Sequence, residues 1–157
     1  MISLPDPDSD TQTKGDILSP PKNSFIELKS IQLPLANAFY KRVYKKGIAH
    51  KNERVFVIKG HRIICAGKLK QFDGQLLLTG IASDPLYRQQ GHASELIKSI
   101  LDLYSQPIYC FPYSHLQDFY SKLGFTLAVQ ETVPTIIHQK FTTYSKNRPL
   151  LLMVSNY

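Results

Sequence analysis

A short loop with a single glycine, RQQGHA at positions 88–93, lies between an apolar stretch and a long amphipathic stretch of the chain. A loop that opens a helix presents several backbone N–H groups without intrahelical partners, at the positive end of the helix dipole. Such groups can bind a pyrophosphate, provided that small residues let the phosphate oxygens approach the main chain. Gly91 and Ala93 meet that need, and Arg88 at the loop entrance can add a charge-assisted contact.

The same loop is also compatible with an ordinary tight connection in a mixed sheet. It is not a Walker loop, because no Gly-Lys-Ser/Thr follows, and it is not a dinucleotide fingerprint, because the first glycine is missing. The loop by itself therefore leaves phosphate binding and a purely structural turn both open.

Hydrophobic periodicity predicts the elements that would position this loop. The predicted strands are 24–31, 54–58, 62–72, 75–83, 107–111, 125–129 and 149–156, and the predicted helices are 35–47, 92–104, 115–124 and 136–146. Antiparallel strands come first and parallel crossovers follow, which predicts an α/β (mixed α+β) domain with helices on both faces of a mixed sheet.

Two local features of these elements can be checked. The first helix has apolar residues at helical spacing, with Pro34 at its start and Gly47 after its end; the face is formed by Leu35, Ala38, Phe39 and Val43. Gly67 inside the third strand indicates a β-bulge.

Residues 88–93 resemble the Arg/Gln-x-x-Gly-x-Gly/Ala acetyl-CoA motif of the GCN5-related N-acetyltransferases (GNAT), as does the Asp-Pro-x-Tyr-Arg lead-in. The segment DFYSKLGF, 118–125, resembles the second signature of that family, Phe-Tyr-x-Lys-x-Gly-Phe. The resemblance covers about residues 24–157. It implies the GNAT fold, a twisted mixed sheet of about seven strands flanked by about four helices, and transfer of an acetyl group from acetyl-CoA to an amine.

The resemblance also implies which residues bind the co-substrate, acetyl-CoA. Main-chain groups of Ile81, Ala82 and Ser83 would contact the pantetheine arm where the fourth and fifth strands splay apart. The pyrophosphate would lie against the 88–94 loop, which consists of Arg88, Gln89, Gln90, Gly91, His92, Ala93 and Ser94. Ser114 would replace an Asn that many relatives carry before their tyrosine and that binds CoA.

Tyr120 matches the tyrosine that lies near the CoA sulfur in the family, and it is the expected catalytic residue. A positioned phenol can protonate a leaving thiolate whose pKa is about 8.5. The mechanism implied is direct attack of a neutral amine on the thioester, with a main-chain N–H near Ala82 or Ser83 meeting the oxyanion. A core aromatic on an amphipathic helix is the alternative role for Tyr120.

The general base and the acceptor site are less defined. Relatives often keep a Glu on the fourth strand, whereas QLLLTGIAS has no acid. The candidates for the base are Glu53, His115, Glu131 and His138, each of which also suits a surface or structural role.

The candidates for the acceptor pocket are Tyr40, Tyr44, Tyr113 and Tyr144, which core packing would explain equally well. A basic cluster would border the acceptor site or form a solvated face; it comprises Lys41, Arg42, Lys45, Lys46 and Lys51.

Length and composition bound the remaining possibilities. A chain of 157 residues, 43% of them hydrophobic, suits one domain, which we place at residues 23–157 after a flexible N-terminal tail, 1–22. The net charge of +7 favours an anionic partner. Nucleic acid, a phosphate-rich cofactor such as CoA and an acidic substrate all fit, and charge alone does not choose between them. Cys65 and Cys110 lie in apolar runs and are expected to be buried thiols, although a disulfide or a catalytic thiol is not excluded.

No metal site, signal sequence or membrane span is indicated, and a cytoplasmic protein is expected. A homodimer through the C-terminal strands is suggested by the resemblance. Two other classes of function stay open at this point. One is a non-catalytic acyl-CoA sensor of the same fold, which the absence of an acidic residue in the fourth predicted strand favours. The other is a nucleic-acid-binding protein, which only the positive charge of the chain suggests.

Overall fold

The structure, a computed structural model, describes residues 22–45, 49–50 and 52–155. The strands are β1 (Ser24–Glu27), β2 (Arg54–Lys59), β3 (Ile63–Phe72), β4 (Gln75–Ser83), β5 (Ile108–Cys110), β6 (Phe125–Leu127) and β7 (Met153–Ser155). The α-helices are α1 (Leu33–Val43), α2 (His92–Leu101), α3 (Gln117–Lys122) and α4 (Thr135–Tyr144). The predicted mixed α/β fold with seven strands and four helices is confirmed for these residues.

The seven strands form one sheet in the order β1-β2-β3-β4-β5-β7-β6. Strands β1 to β4 are antiparallel neighbours, and β4 pairs with β5 in parallel. Strand β7 lies between β5 and β6 and is antiparallel to both. The described part of the sheet thus has one parallel pair, where the sequence predicted several, because β7 returns between its two neighbours.

Helices cover both faces of the sheet, as the sequence predicts. One face packs on α2 and α3 through a cluster that includes Leu96, Ile100 and Tyr120. The opposite face carries two separate apolar clusters, one under α1 around Phe39 and one under α4 around Ile137. Between these two clusters, over the middle of β3 and β4, lies a polar gap that contains the side chains of Lys68 and Lys70.

A β-bulge interrupts the pairing of β3 with β4. Between the pairs Ala66–Ala82 and Lys68–Thr79, β3 advances by two residues and β4 by three, so the extra residue belongs to β4. Gly80 has φ +63°, a left-handed conformation that glycine adopts without steric cost. The bulge increases the local twist just where β4 loses its other neighbour.

The sequence predicted this bulge at Gly67, which is wrong by one strand. Gly67 is the β3 residue that lies opposite the bulge on β4. A Cβ at Gly67 would lie 2.6 Å from Ile81 Cδ1 and 3.3 Å from Leu96 Cδ2. The glycine therefore serves close packing against β4 and α2, while the extra residue is on the partner strand.

The buried face of α1 differs from the predicted one. Phe39 is buried as expected, but Leu35 is 50% exposed, and Ala36 and Tyr40 are buried instead. The Tyr40 hydroxyl donates a hydrogen bond of 2.8 Å to the carbonyl oxygen of Gly80, which allows the phenol to be fully buried. This partner comes from the bulge, so helical spacing could not reveal it.

Several predicted elements are shorter in the structure. Strand β1 ends at Glu27 and is followed by a 3₁₀ turn at Ser30–Gln32, and strand β7 begins at Met153. The third predicted helix opens as a 3₁₀ turn at Ser114–Leu116. The predicted tail, most of which precedes residue 22, and Gly47 lie outside the described residues.

Candidate active site

Strand β5 pairs only with the first half of β4, and the chain after β5 then separates from it. Their pairing runs from Leu76–Ile108 to Leu78–Cys110 and stops there. Beyond it, the edge of β4 from Thr79 to Ser83 has no strand beside it on the β5 side in the described part of the chain. Unpaired main-chain N–H and C=O groups on such an edge are available to an amide-containing ligand.

Asp84 fixes the turn that follows β4. Its carboxylate, with a side chain only 1% exposed, accepts hydrogen bonds from Leu86 N at 3.0 Å and from Arg42 Nη1 at 2.8 Å. Arg62 lies 3.7 Å away. Burial raises the pKa of Asp84, but the Arg42 and Leu86 hydrogen bonds and the two arginine charges together hold it below its usual value.

The 88–94 loop ends at the N-terminus of α2 in a left-handed conformation. Gln89 and Gly91 have φ angles of +63° and +82°. The first amide to bond into the helix is Glu95 N, which donates to Gly91 O at 3.0 Å. The amides that precede it in the helix, those of His92, Ala93 and Ser94, have no intrahelical partner and point out of the helix end.

The side chains of this loop leave the helix end open. Gln89, Gln90, Gly91 and Arg88 are exposed. A Cβ at Gly91 would meet no atom within 4 Å, so the space above the loop is free. The loop residues predicted to bind pyrophosphate are therefore together in one accessible arc.

The side chain of His92, the first residue of α2, is mostly buried, unlike the exposed side chains before it in the loop. Its Nδ1 is buried without a hydrogen-bond partner in the described residues and lies 3.8 Å from Glu95 Oε1.

A cavity of about 380 Å³ opens where β4 and β5 separate, and we call it the splay cavity. Its wall includes the β4 residues 78–81, the segment 110–113 that leaves β5, and Tyr120 from α3. Of the β4 residues predicted to contact pantetheine, Ile81 lines the splay cavity. Ala82 is buried next to it, and Ser83 Oγ lies 3.5 Å from Cys65 Sγ.

Tyr120 lines the splay cavity and is 7% exposed. Its ring packs edge-on against Phe119 and Phe125, with centroids 5.1 and 5.6 Å away. Burial raises the pKa of Tyr120 far above that of a free phenol, so the hydroxyl stays protonated at neutral pH. A protonated phenol facing the cavity has the form that a general acid requires.

Two lysines of β3 face the splay cavity from its other side. Lys68 and Lys70 lie in the polar gap between the α1 and α4 clusters, and their Nζ atoms are 3.7 and 3.3 Å from the Glu53 carboxylate. The side chains of Glu53 and Lys68 are each only 6% exposed. Burial lowers the pKa of Lys68, which the Glu53 charge opposes.

Three of the four candidate tyrosines line the splay cavity, namely Tyr44, Tyr113 and Tyr144. The Tyr144 hydroxyl lies 3.3 Å from Lys70 Nζ. Tyr40 belongs to the core under α1 instead.

The other predicted residues are spread around the cavity. Ser114 is exposed, and its N–H donates to Pro149 O rather than lining the splay cavity. Among the basic cluster, Arg42 binds Asp84 and Lys41 and Lys45 are exposed. Lys46 and Lys51 lie outside the described residues.

The four candidates for the base can now be separated by position. Glu131 is exposed, and His138 Nε2 lies 3.1 Å from Gln130 O. His115 packs its ring beside Tyr113 at 5.9 Å and is exposed. Glu53 and His115 both contact residues that line the splay cavity, Glu53 through Lys68 and Lys70 and His115 through Tyr113. Of these two side chains, only that of Glu53 is buried.

Both cysteines are buried free thiols, as the sequence predicts. Burial raises the pKa of Cys110 well above its ordinary value, so the thiol stays protonated. A protonated thiol is a poor nucleophile.

Sequence reasoning missed four residues of this region: Asp84, Lys68, Lys70 and Arg148. Asp84 was noted only as part of a motif, and its burial depends on Arg42 from α1. The alternation K-L-K in β3 was a readable signal, since it places two lysines on one face of an otherwise buried strand. Arg148 reaches the cavity from the loop after α4, which only the fold brings near.

No helix among the described residues is long and apolar enough to cross a membrane. In the same part of the chain, no group of three or more His, Cys, Asp or Glu side chains is arranged to hold a metal ion.

Comparison with known proteins gives a structural answer only. No protein-family model matches the chain, and no curated protein matches it in sequence. Solved structures do match. The ribosomal-protein-S18-alanine N-acetyltransferase from Escherichia coli has a TM-score of 0.63 and 17% identity, over 85% of this chain and 93% of that one. Tetrahymena GCN5 has a TM-score of 0.61 and 16% identity, over 84% and 94%.

The chain has the fold of the GCN5-related N-acetyltransferases. A third similar GNAT structure, Rv2747 from Mycobacterium tuberculosis, was solved in complex with CoA; it has a TM-score of 0.64 and 13% identity, over 85% of this chain and 99% of that one. At these identities the likeness establishes the GNAT fold, and activity must be argued from the residues of this chain.

Proposed function

We propose that this protein is an acetyl-CoA-dependent N-acetyltransferase. The observation that carries the proposal is the splay cavity, which joins an unpaired β4 edge to a buried, protonated Tyr120. The turn after β4 leads along the chain to the accessible amides at the start of α2. This arrangement supports a pyrophosphate at the 88–94 loop, a pantetheine along 81–83 and a thioester near Tyr120, and similar folds have been solved with CoA bound.

The reaction would be a direct transfer. The neutral amine attacks the thioester carbonyl, a new C–N bond forms, and the C–S bond breaks when the tetrahedral intermediate collapses. A β4 main-chain N–H near Ala82 or Ser83 would stabilise the oxyanion, and Tyr120 would give its proton to the CoA thiolate. The nitrogen, cationic after the attack, loses a proton to water as the amide forms, and water reprotonates Tyr120.

The acceptor enters as an ammonium ion and must lose protons, and Glu53 is the best-placed group to receive one. It is buried beside Lys68 and Lys70, which line the splay cavity. We expect Glu53→Gln to lower kcat by about 10²-fold with little change in acetyl-CoA affinity. The loss of kcat should be greater at low pH, because more of the acceptor is then an ammonium ion that needs a base. Glu131→Gln is the matched control, and equal rates for the two variants would remove Glu53 from the mechanism.

The first experiment is a calorimetric and thermal-shift titration with acetyl-CoA, with NAD and ATP as controls. Saturable stabilisation by acetyl-CoA alone supports the co-substrate assignment, because a ligand that binds the native state raises its stability. No response at millimolar acetyl-CoA would contradict it.

Release of free CoA in the presence of an amine then distinguishes catalysis from sensing. A non-catalytic acyl-CoA sensor would bind acetyl-CoA and release no CoA with any amine. The observation that favours this alternative is that the described lining of the splay cavity contains no Asp or Glu.

A further inference from the structure

The splay cavity has more positive charge than an acetyl transfer to a simple amine requires. Its described lining contains three cations, Lys68, Lys70 and Arg148, and no carboxylate. The carboxylate behind them, Glu53, is 3.3 and 3.7 Å from the two lysines, and no described residue pairs with the guanidinium of Arg148.

These cations are in the wrong place to bind the phosphates of CoA. Lys68 and Lys70 lie on the sheet face covered by α1 and α4, between the two apolar clusters of that face. The 88–94 loop leads into α2, which covers the opposite face. The two lysines therefore do not face the loop that would bind the pyrophosphate.

Packing alone does not explain them either. Lys68 is 5% exposed in the middle of a sheet, where apolar side chains are the usual occupants, and placing two lysines against one carboxylate there costs desolvation energy. An anionic ligand group that accepts hydrogen bonds from these lysines would offset that cost.

We propose that the acceptor is an amine that also bears a carboxylate, which binds between Lys70 and Arg148 in the splay cavity. The hydroxyl of Tyr144 lies beside Lys70 and adds a hydrogen-bond donor. Anchored there, the acceptor presents its amine toward Ile81 and Tyr120, which line the same cavity. This inference rests on the proposed function and names its substrate class.

The test compares acids with their amides by equilibrium binding, so that it does not depend on turnover. N-acetylglycine, N-acetyl-leucine and N-acetylglutamate are titrated by calorimetry into the CoA-loaded protein, alongside the corresponding carboxamides. We expect at least one acid to bind about tenfold or more tightly than its amide, since a charge-assisted pair is replaced by a neutral one. Equal binding of acid and amide, or no binding at millimolar concentration, overturns the proposal.

Variants identify the residues that bind the carboxylate. Arg148→Gln should reduce the preference for acid over amide to about threefold or less, and Lys146→Gln, an exposed cation two residues away, should leave it unchanged. Lys70→Gln should act like Arg148→Gln, and Lys70→Arg should restore most of the preference. A preference that survives both Arg148→Gln and Lys70→Gln, with melting curves showing folded protein, also overturns the proposal.

Turnover separates this inference from the proposed function. Release of CoA with amines but without any preference for those bearing a carboxylate would refute the acceptor class and keep the acetyltransferase. Absence of CoA release with every amine, together with selective binding of the N-acetyl acids, would refute the acetyltransferase and keep the carboxylate site.

Discussion

At the scale of single residues, the chemistry of the candidate site depends on groups whose protonation is set by burial. Tyr120 is buried in the wall of the splay cavity and remains a phenol, while Cys110 nearby remains a thiol. A protonated phenol and a protonated, unreactive thiol both fit the direct transfer that we propose.

Replacement of Tyr120 by Phe removes one hydroxyl and preserves the ring packing. We expect kcat to fall by about 10²-fold because the thiolate leaves without a proton donor, while the dissociation constant of acetyl-CoA stays within about twofold. Steady-state kinetics and calorimetry measure the two quantities. Tyr109→Phe, which alters a buried tyrosine outside the splay cavity, is the control; an unaltered rate in Tyr120→Phe would exclude Tyr120 as the acid.

Gly91→Glu tests the phosphate loop. A carboxylate at this position would repel the pyrophosphate and occupy the free space above the loop, so we expect acetyl-CoA binding to weaken by more than about tenfold. Gly74→Glu is a close match, because Gly74 also has a left-handed φ, +80°, and open space around it, but lies in the β3–β4 turn. Similar affinities for the two variants would mean that the loop does not bind phosphate.

At the scale of elements, Asp84 joins three parts of the fold. It accepts hydrogen bonds from α1 through Arg42 and from the turn after β4 through Leu86, and it lies near Arg62 at the start of β3. Because this turn leads directly into the 88–94 loop, the carboxylate orients the loop relative to the β4 edge.

Asp84→Asn should lower the free energy of unfolding by about 1–3 kcal/mol at pH 7, since two charge-assisted hydrogen bonds become neutral. The folded pKa of Asp84 lies below its unfolded value, so this stabilisation is fully present above about pH 4 and is lost as the pH falls through the folded pKa. Urea unfolding at a series of pH values should show the wild-type and variant curves converging in acid.

Glu27→Gln is the control for this effect, because Glu27 forms a bidentate pair with Arg54 at an exposed position. An exposed pair contributes about 0.5 kcal/mol, so its loss should matter less than that of Asp84. A larger cost for Glu27→Gln than for Asp84→Asn would contradict the anchoring role of Asp84.

At the scale of the whole molecule, positive charge should speed the capture of acetyl-CoA. The net charge is +7, and residues 1–20 contribute four Asp and one Lys, so their removal raises it to +10. The predicted tail, 1–22, is untested by the described residues.

Deletion of residues 1–20 should leave the melting temperature nearly unchanged and raise the association rate for acetyl-CoA at low ionic strength. Stopped-flow binding at several salt concentrations measures the rate, and the full-length and shortened proteins should converge as salt screens the charge. A large drop in melting temperature would show that these residues contribute to the folded domain.

The sequence by itself determined the order and type of the elements, and it predicted the 88–94 loop as a phosphate site. Strands and helices were readable because burial of one face imposes period 2 or 3.6 on apolar residues. The loop was readable because Gly91 and Ala93 are local requirements of close phosphate approach. Tyr120 was singled out by its motif, and it lines the splay cavity; its role stays a prediction.

Only the tertiary structure decided which side chains meet. The extra residue of the bulge lies at Gly80 rather than Gly67, and the Gly80 carbonyl buries Tyr40, because register is set by pairing between strands. Lys70, Glu53 and Arg148 come together from β3, the segment before β2 and the loop after α4. These three residues are distant in sequence and leave no periodic pattern, so only the folded arrangement of the sheet and its loops brings them near one another.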